Sequence, residues 1–371
     1  MPSQLCLFLI LAQFTTPLFG LNLSPASLRP QGAGHHGLPA EVWATSAAEA
    51  AFEAAVAHCE ARARTQALDA SLSADVPRLL RRVFAADFER LLHSKKIVQN
   101  VTCMRPQVDG IGTGLFDDDL MRVPLTSGRV CANGNCCDTC SRLTFPQFAT
   151  PAECEAFRQQ LATLMAPVEQ HPHHNLYLMA CSAAGDVRTT LTFLRLVERM
   201  RRALAHEYGL PLPQLTPRQT FVSRITHACE ERQSLHADEA SVPSYHYSCV
   251  LYLSSQLEDF EGGCFTFSDP PSYLDLEGRG ERQLRRLAPV SGLAVAFTSG
   301  WENMHFVEPI STGCRFAVPA FFTTASVGGE STAESLDDAA IAETLWQSAL
   351  MPESEDDARQ LLRQWHRLLA A

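Results

Sequence analysis

From residue 220 to residue 323 the chain reads as a succession of short β-branched or aromatic runs closed by Gly, Pro, Ser or Asp. Residues 220–226, 245–254, 264–268, 293–298 and 315–323 are short for buried helices and have the composition of strands. Strands this closely spaced must pair with one another, and a sheet needs a covering layer on any face that it buries. The expected fold is mainly β with flanking helices. Its core is a double-stranded β-helix, or jelly roll, preceded by a helical region and followed by a helical tail.

The flanks support that layout. Residues 41–92 have a helical pattern, with Leu79, Leu80, Val83, Phe84, Phe88, Leu91 and Leu92 at three- and four-residue spacing. Thr150-Pro-Ala-Glu153 is a capping box opening a helix to about residue 165. Residues 189–208 carry a second stripe: Phe193, Leu196, Val197, Met200 and Leu204. The expected divisions are 1–20, a signal peptide or signal anchor; 21–102, a linker and helical N-terminal region; 103–141, a Cys-rich segment; 142–326, the β domain; and 327–371, a helical tail. At net charge −11 in 371 residues, nucleic-acid binding lacks its usual electrostatic basis.

Redox context comes from the N-terminus and the cysteines. The apolar run at 5–14 is shorter than the roughly 20 residues that cross a bilayer, so it reads as a secretory signal. A membrane role arises only if it is retained as an anchor. Of 13 cysteines, removing Cys6 with the signal leaves an even number, which agrees with an oxidising compartment. Asn100-Val-Thr102 is a glycosylation sequon, and Asn22-Leu-Ser24 is another, weakened by Pro25. Cys137-Asp-Thr-Cys140 lacks the second pair that a structural zinc site wants, so a disulfide cluster is expected there.

Chemistry concentrates at His236-Ala-Asp238 and His305. His-x-Asp/Glu is a weak motif: the 13 histidines in this chain yield about one or two matches by chance. His58-Cys-Glu60 is such a match, and it falls in a helical pattern, where i and i+2 do not share a face. His236 and Asp238 fall in an extended context, where they do. His305 follows the strand at 293–298 through a Ser299-Gly300 turn and is the best third ligand. Two imidazoles and one carboxylate with open positions suit a non-haem Fe(II) oxygenase better than a closed zinc site. The tract His171-Pro-His-His174 reads as a solvated loop.

The strand at 245–254 places Tyr245, Tyr247, Cys249, Leu251 and Leu253 on one face and His246, Ser248, Val250, Tyr252 and Ser254 on the other. A polar face of this kind suits a barrel holding a polar ligand. Arg315 opens an otherwise apolar strand and needs an anionic partner, best a carboxylate matched to its planar fork.

Taken together, these residues resemble the 2-oxoglutarate- and Fe(II)-dependent oxygenases of the prolyl hydroxylase type. His236-Ala-Asp238, Leu251-Tyr-Leu-Ser254, Asp259-Phe-Glu-Gly-Gly-Cys-Phe265, Phe297-Thr-Ser-Gly300, Glu302-Asn-Met-His305 and Gly313-Cys-Arg315 stand in the family's order and approximate spacing. Asp259-Phe-Glu-Gly-Gly263 and Ser299-Gly-x-Glu-Asn-x-His305 are also similar to the collagen prolyl 3-hydroxylases. The resemblance covers about residues 141–326, with an extra loop at 270–286.

That resemblance implies Fe(II) on His236, Asp238 and His305, and 2-oxoglutarate held by Arg315 and Tyr252. It also implies O2 as oxidant, L-ascorbate as a further cofactor, and hydroxylation of an aliphatic carbon with release of succinate and CO2. A prolyl or other side chain of a secretory-pathway protein or peptide is the implied substrate. A small-molecule hydroxylase and a binding module that keeps the barrel without turnover are the alternatives. The hydroxylated atom and the oligomeric state are not written in the sequence.

Overall fold

In the computed structural model, the residues described are 46–65, 70–106, 122–124, 140–165, 167, 172–177, 186–212, 215–229, 235–242, 245–269 and 282–324. The expected signal segment, the linker, most of the Cys-rich segment, most of the 270–286 loop and the helical tail lie outside them.

Two long helices come first, α1 (Ser46–Thr65) and α2 (Ala70–Leu92). Phe52, Ala55, Val56 and Cys59 of α1 recur every three or four residues, so they share one face and close on Leu80 and Val83 of α2. His58 and Glu60 sit on α1, as expected of a chance motif. Helix α3 (Pro151–Leu161) starts with the full capping box: Glu153 N–H donates to Thr150 Oγ1, and Thr150 N–H donates back to Glu153. Helix α4 (Val187–Glu207) is capped by Asp186 and buries Phe193, Leu196, Val197, Met200 and Leu204. A single turn, α5 (Asp238–Ser241), completes the helices among the described residues.

In chain order the strands are β1 (Ile97–Val101), β2 (Met104–Pro106), β3 (Arg122–Pro124), β4 (Cys140–Phe145), β5 (His173–Tyr177), β6 (Thr216–Thr226) and β7 (Tyr247–Tyr252). Then come β8 (Phe260–Gly262), β9 (Phe265–Asp269), β10 (Gln283–Leu287), β11 (Ala294–Thr298), β12 (His305–Val307) and β13 (Ile310–Thr323). The large sheet runs β1-β4-β11-β7-β13-β6-β5, with β8 added along β13; the small sheet is β10-β9-β12. Their pairings are antiparallel.

Register decides what each face does. Leu143, Phe145, Ala294, Ala296, Tyr247, Cys249, Leu251, Val318, Ala320 and Phe322 fall on one face of the large sheet and pack under α3 and α4. The opposite face offers Val250, Tyr252, Val295, Phe297 and Ala317, which meet Phe265, Phe267 and Val307 of the small sheet. The core therefore has two layers, one between sheet and helices and one between the two sheets. This is a mostly β core with helices, laid out as the strand pattern suggests.

Several elements differ from expectation. His173 and His174 begin β5 rather than lying in a loop, because β6 supplies a paired edge. The last residues of the expected loop at 270–286 form most of β10. Strand β13 starts at Ile310, five residues before Arg315. The expected domain edge at 142 falls within β4, and β1, from the region read as linker and helix, lengthens the same sheet. Asn100 is exposed on β1, an edge strand. Cys140 pairs with Cys103, while Cys154, Cys249, Cys264 and Cys314 form no disulfide among the described residues. No helix among the described residues is long and apolar enough to cross a membrane.

Candidate metal centre

His236 and His305 come from segments nearly seventy residues apart, joined by a two-way backbone bridge. His236 N–H donates to His305 O at 3.0 Å, and His305 N–H donates to His236 O at 2.8 Å. Ala237 is extended (φ −104°, ψ 139°) and carries Asp238 beside His236 as the first residue of α5. The expected extended context thus ends at Ala237. The turn is held in place by Glu239 N–H donating to Ser299 O at 2.9 Å.

Nε2 of His236 lies 3.3 Å from Asp238 Oδ1, and Nε2 of His305 lies 3.6 Å from the same oxygen. All three ligand atoms lie within 4.8 Å of one another. This is the separation expected of ligands arranged around one small cation. Asp238 and His305 are buried, while His236 keeps about a fifth of its side chain exposed and marks the open side.

Second partners fix His305 and Asp238. His305 Nδ1 lies 2.8 Å from Asn303 O; a carbonyl can only accept, so Nδ1 carries the proton and Nε2 keeps its lone pair. Ser248 Oγ donates to Asp238 Oδ2 at 2.6 Å and meets Ser299 Oγ at 2.7 Å, leaving Oδ1 to face the imidazoles. Phe265 stacks on the His305 ring with centroids 4.7 Å apart. Burial alone would raise the Asp238 pKa, but the His305 and His236 rings and the Ser248 hydroxyl outweigh it and hold the carboxyl below its ordinary range. Burial pushes His305 down to about 4, so its imidazole is neutral, the form that binds metals.

On the same inner sheet face, Tyr252 of β7 stands opposite Ala317 of β13, and Arg315 lies two residues along. Both side chains are buried, and the Arg315 guanidinium carbon is 5.2 Å from the Tyr252 ring centroid. Neither the Tyr252 hydroxyl nor Arg315 Nε finds a well-formed hydrogen bond among the described residues. Burial pushes the Tyr252 phenol up to about 12, against the pull of Arg315, so it stays a neutral donor. A buried cation and a buried hydroxyl with unused donors fit a small carboxylate.

Glycine places Arg315. Gly313 has φ +77°, and a Cβ there would lie 2.2 Å from Asp259 O, so only glycine lets β8 approach β13 at this point. Asp259 itself closes the turn by accepting from Ser255 N–H at 2.7 Å and pairs with Arg158 of α3 at 2.8 Å. The Asp259-Phe-Glu-Gly-Gly segment is thus the clasp that holds the arginine strand. The sequence exposed Ser248 through strand parity, but nothing local marked Ser299 as its partner.

A family model described as 2OG-Fe(II) oxygenase superfamily matches residues 222–323. The mouse 2-oxoglutarate and iron-dependent oxygenase domain-containing protein 3 is 33% identical over 132 residues, covering 34% of this chain and 38% of that protein. Chicken prolyl 3-hydroxylase 1 is 40% identical over 77 residues, 21% of this chain and 9% of that one. The viral collagen prolyl hydroxylase of Paramecium Bursaria Chlorella virus-1 overlays at TM-score 0.35 with 14% identity, over 50% of this chain and 96% of that one, too loosely to argue from. The chain therefore matches well under half the length of the curated relatives, and the match is one of domain. Within that limit, residues 222–323 match the 2OG-Fe(II) oxygenase superfamily.

Proposed function

We propose that the protein is an Fe(II)- and 2-oxoglutarate-dependent dioxygenase that hydroxylates an aliphatic carbon and releases succinate and CO2. The carrying observation is the pairing of two features on one sheet face: three converging ligand atoms, and a buried Arg315 and Tyr252 with unused donors. His236, Asp238 and His305 would hold the iron, and Arg315 with Tyr252 would hold the distal carboxylate of 2-oxoglutarate. The metal and the keto acid together supply the oxidising chemistry.

The residues of the chain do the rest. Asp238 brings a negative charge already ionised at neutral pH, and its Oδ2 is tied back by Ser248 so that one oxygen points inward. His305 is held in one tautomer by Asn303. Arg315 would neutralise the charge of the acid, next to a buried apolar cluster that joins Tyr252 to Val250, Phe265, Phe297 and Ala317 and would limit access of water. His236, on the exposed side, marks where a substrate enters.

The substrate we infer is a prolyl or other side chain of a secretory-pathway protein, with L-ascorbate maintaining the iron. This is in keeping with the prolyl 3-hydroxylase likeness, the signal-like N-terminus, the Cys103–Cys140 disulfide and the exposed Asn100. The oxygenase domain is assigned to 142–326. Turnover of 2-oxoglutarate to succinate, measured with and without Pro-rich peptides, tests the reading. Fe(II)-dependent succinate that disappears in Asp238→Ala is the expected result; none from the wild type with any peptide supports the binding-module reading instead. Product only with metabolites supports the small-molecule alternative.

A further inference from the structure

Arg142 lies on β4, outside the residues that match the oxygenase family, and is buried with its charge fully engaged. Its Nε donates to Asn303 Oδ1 at 2.6 Å. Its two terminal nitrogens fork onto Asp269 at 3.2 and 2.6 Å, and one also donates to the Glu302 carbonyl at 3.1 Å. The guanidinium carbon lies 4.0 Å from the centroid of the Phe267 ring. Burying a charge is costly, and an apolar side chain would cover Phe267 as well. What only a planar five-donor fork can do is tie the end of β9, through Asp269, to the 3-10 turn at Trp301–Asn303.

That turn governs His305. Asn303 presents the carbonyl that accepts from His305 Nδ1, and its amide is pinned to Thr298 O and Oγ1 at 2.8 and 2.9 Å. The second connection is apolar: Phe267 pairs with His305 across β9 and β12, and their rings meet edge to face at 6.1 Å. Arg142 therefore reaches the imidazole both through Asn303 and through Phe267. Its strand is itself stapled two residues earlier by Cys103–Cys140.

We propose that Arg142 is a positioning residue for His305, holding the turn that fixes the ring orientation and tautomer of this metal ligand. The inference rests on the reading of His236, Asp238 and His305 as metal ligands. Without the fork, the turn keeps only the Asn303–Thr298 hydrogen bonds on this side, and its backbone carbonyl holds the His305 ring less firmly.

The test is Co(II) binding by the full chain, read from the visible absorption of the bound ion in the wild type and in Arg142→Met, Arg142→Lys, Asp269→Asn and Arg195→Lys. Arg142→Met should weaken Co(II) binding about 10–100-fold and alter the band shape. Arg142→Lys, which keeps the charge and loses the fork, should shift affinity and spectrum in the same direction, and so should Asp269→Asn. Arg195→Lys, a lesion in a buried ion pair between helices, should bind as the wild type does. If Arg142→Met does not fold, Arg142→Lys decides. Wild-type affinity and spectrum in Arg142→Lys overturn the inference, as does equal weakening in Arg195→Lys. A wild type that takes up no Co(II), or uptake indifferent to Asp238→Ala, overturns the ligand reading itself.

Discussion

At the scale of single residues, Arg315 and Tyr252 give the sharpest expectations. A hydrogen bond to a charged group contributes about 1.5–3 kcal/mol, so Arg315→Lys, which loses the planar fork, should raise the KM for 2-oxoglutarate roughly 10–100-fold. Tyr252→Phe removes one neutral donor, about 1 kcal/mol, and should raise that KM about fivefold with little change in kcat. Steady-state kinetics of succinate release separates the two. Equal KM values in wild type and Arg315→Lys would place the carboxylate elsewhere. Arg315 was legible because a lone cation in an apolar strand needs a partner. Ser299 and Asn303 were not, since a serine or asparagine in a turn carries no mark of what it bonds.

Between elements, the helices hold onto one another through charge as well as apolar contact. Asp87 of α2 accepts from Arg195 Nε at 2.7 Å and from Arg199 at 2.8 Å, both on α4, and Arg199 also reaches Glu153 of α3 at 2.9 Å. Asp87→Ala would leave two buried guanidinium groups short of a counter-charge. It should cost about 3–5 kcal/mol in chemical denaturation. Glu153 also closes the α3 cap, and its pKa falls from 4.5 to about 2: burial raises it, but Arg199 and Arg90 outweigh that. A carboxyl whose folded pKa is depressed contributes stability above its unfolded pKa and loses it as pH falls through the folded value. Stability should therefore drop between about pH 4.5 and 2, by on the order of 2–3 kcal/mol for this group, and Glu153→Gln should flatten that part of the profile. Denaturant midpoints across the acid range check it. The capping box was plain in the sequence as four adjacent residues. The arginines it joins were not, because their partners lie on other helices.

For the whole molecule, metal uptake should appear as stability. An ion bound only by the folded state at about a hundred times its Kd adds roughly 2.7 kcal/mol. For a chain of 371 residues, at about 2.1 cal/mol/K of unfolding entropy per residue, that is a rise of about 3–4 °C in Tm. Thermal unfolding with and without Co(II) measures the shift, and Asp238→Ala should abolish it. A shift that survives this substitution would put the ion at another site.

What the sequence by itself determined were features set by near neighbours in the chain. They are the β-rich middle, the helix stripes, the cap at Thr150, the face shared by Ser248 and Tyr252, and, through motif and parity, the three residues His236, Asp238 and His305 that converge in the fold. The tertiary structure decided what depends on distant partners. The His173–Tyr177 segment is a strand because β6 stands beside it, and Gln283–Leu287 is one because β9 does, although most of its side chains face solvent and leave no alternation to read. Cys140 found Cys103 rather than its neighbour three residues away. Arg142 meets Asn303 across a sequence separation of 161, and no local pattern encodes a contact whose geometry exists only once both sheets have closed.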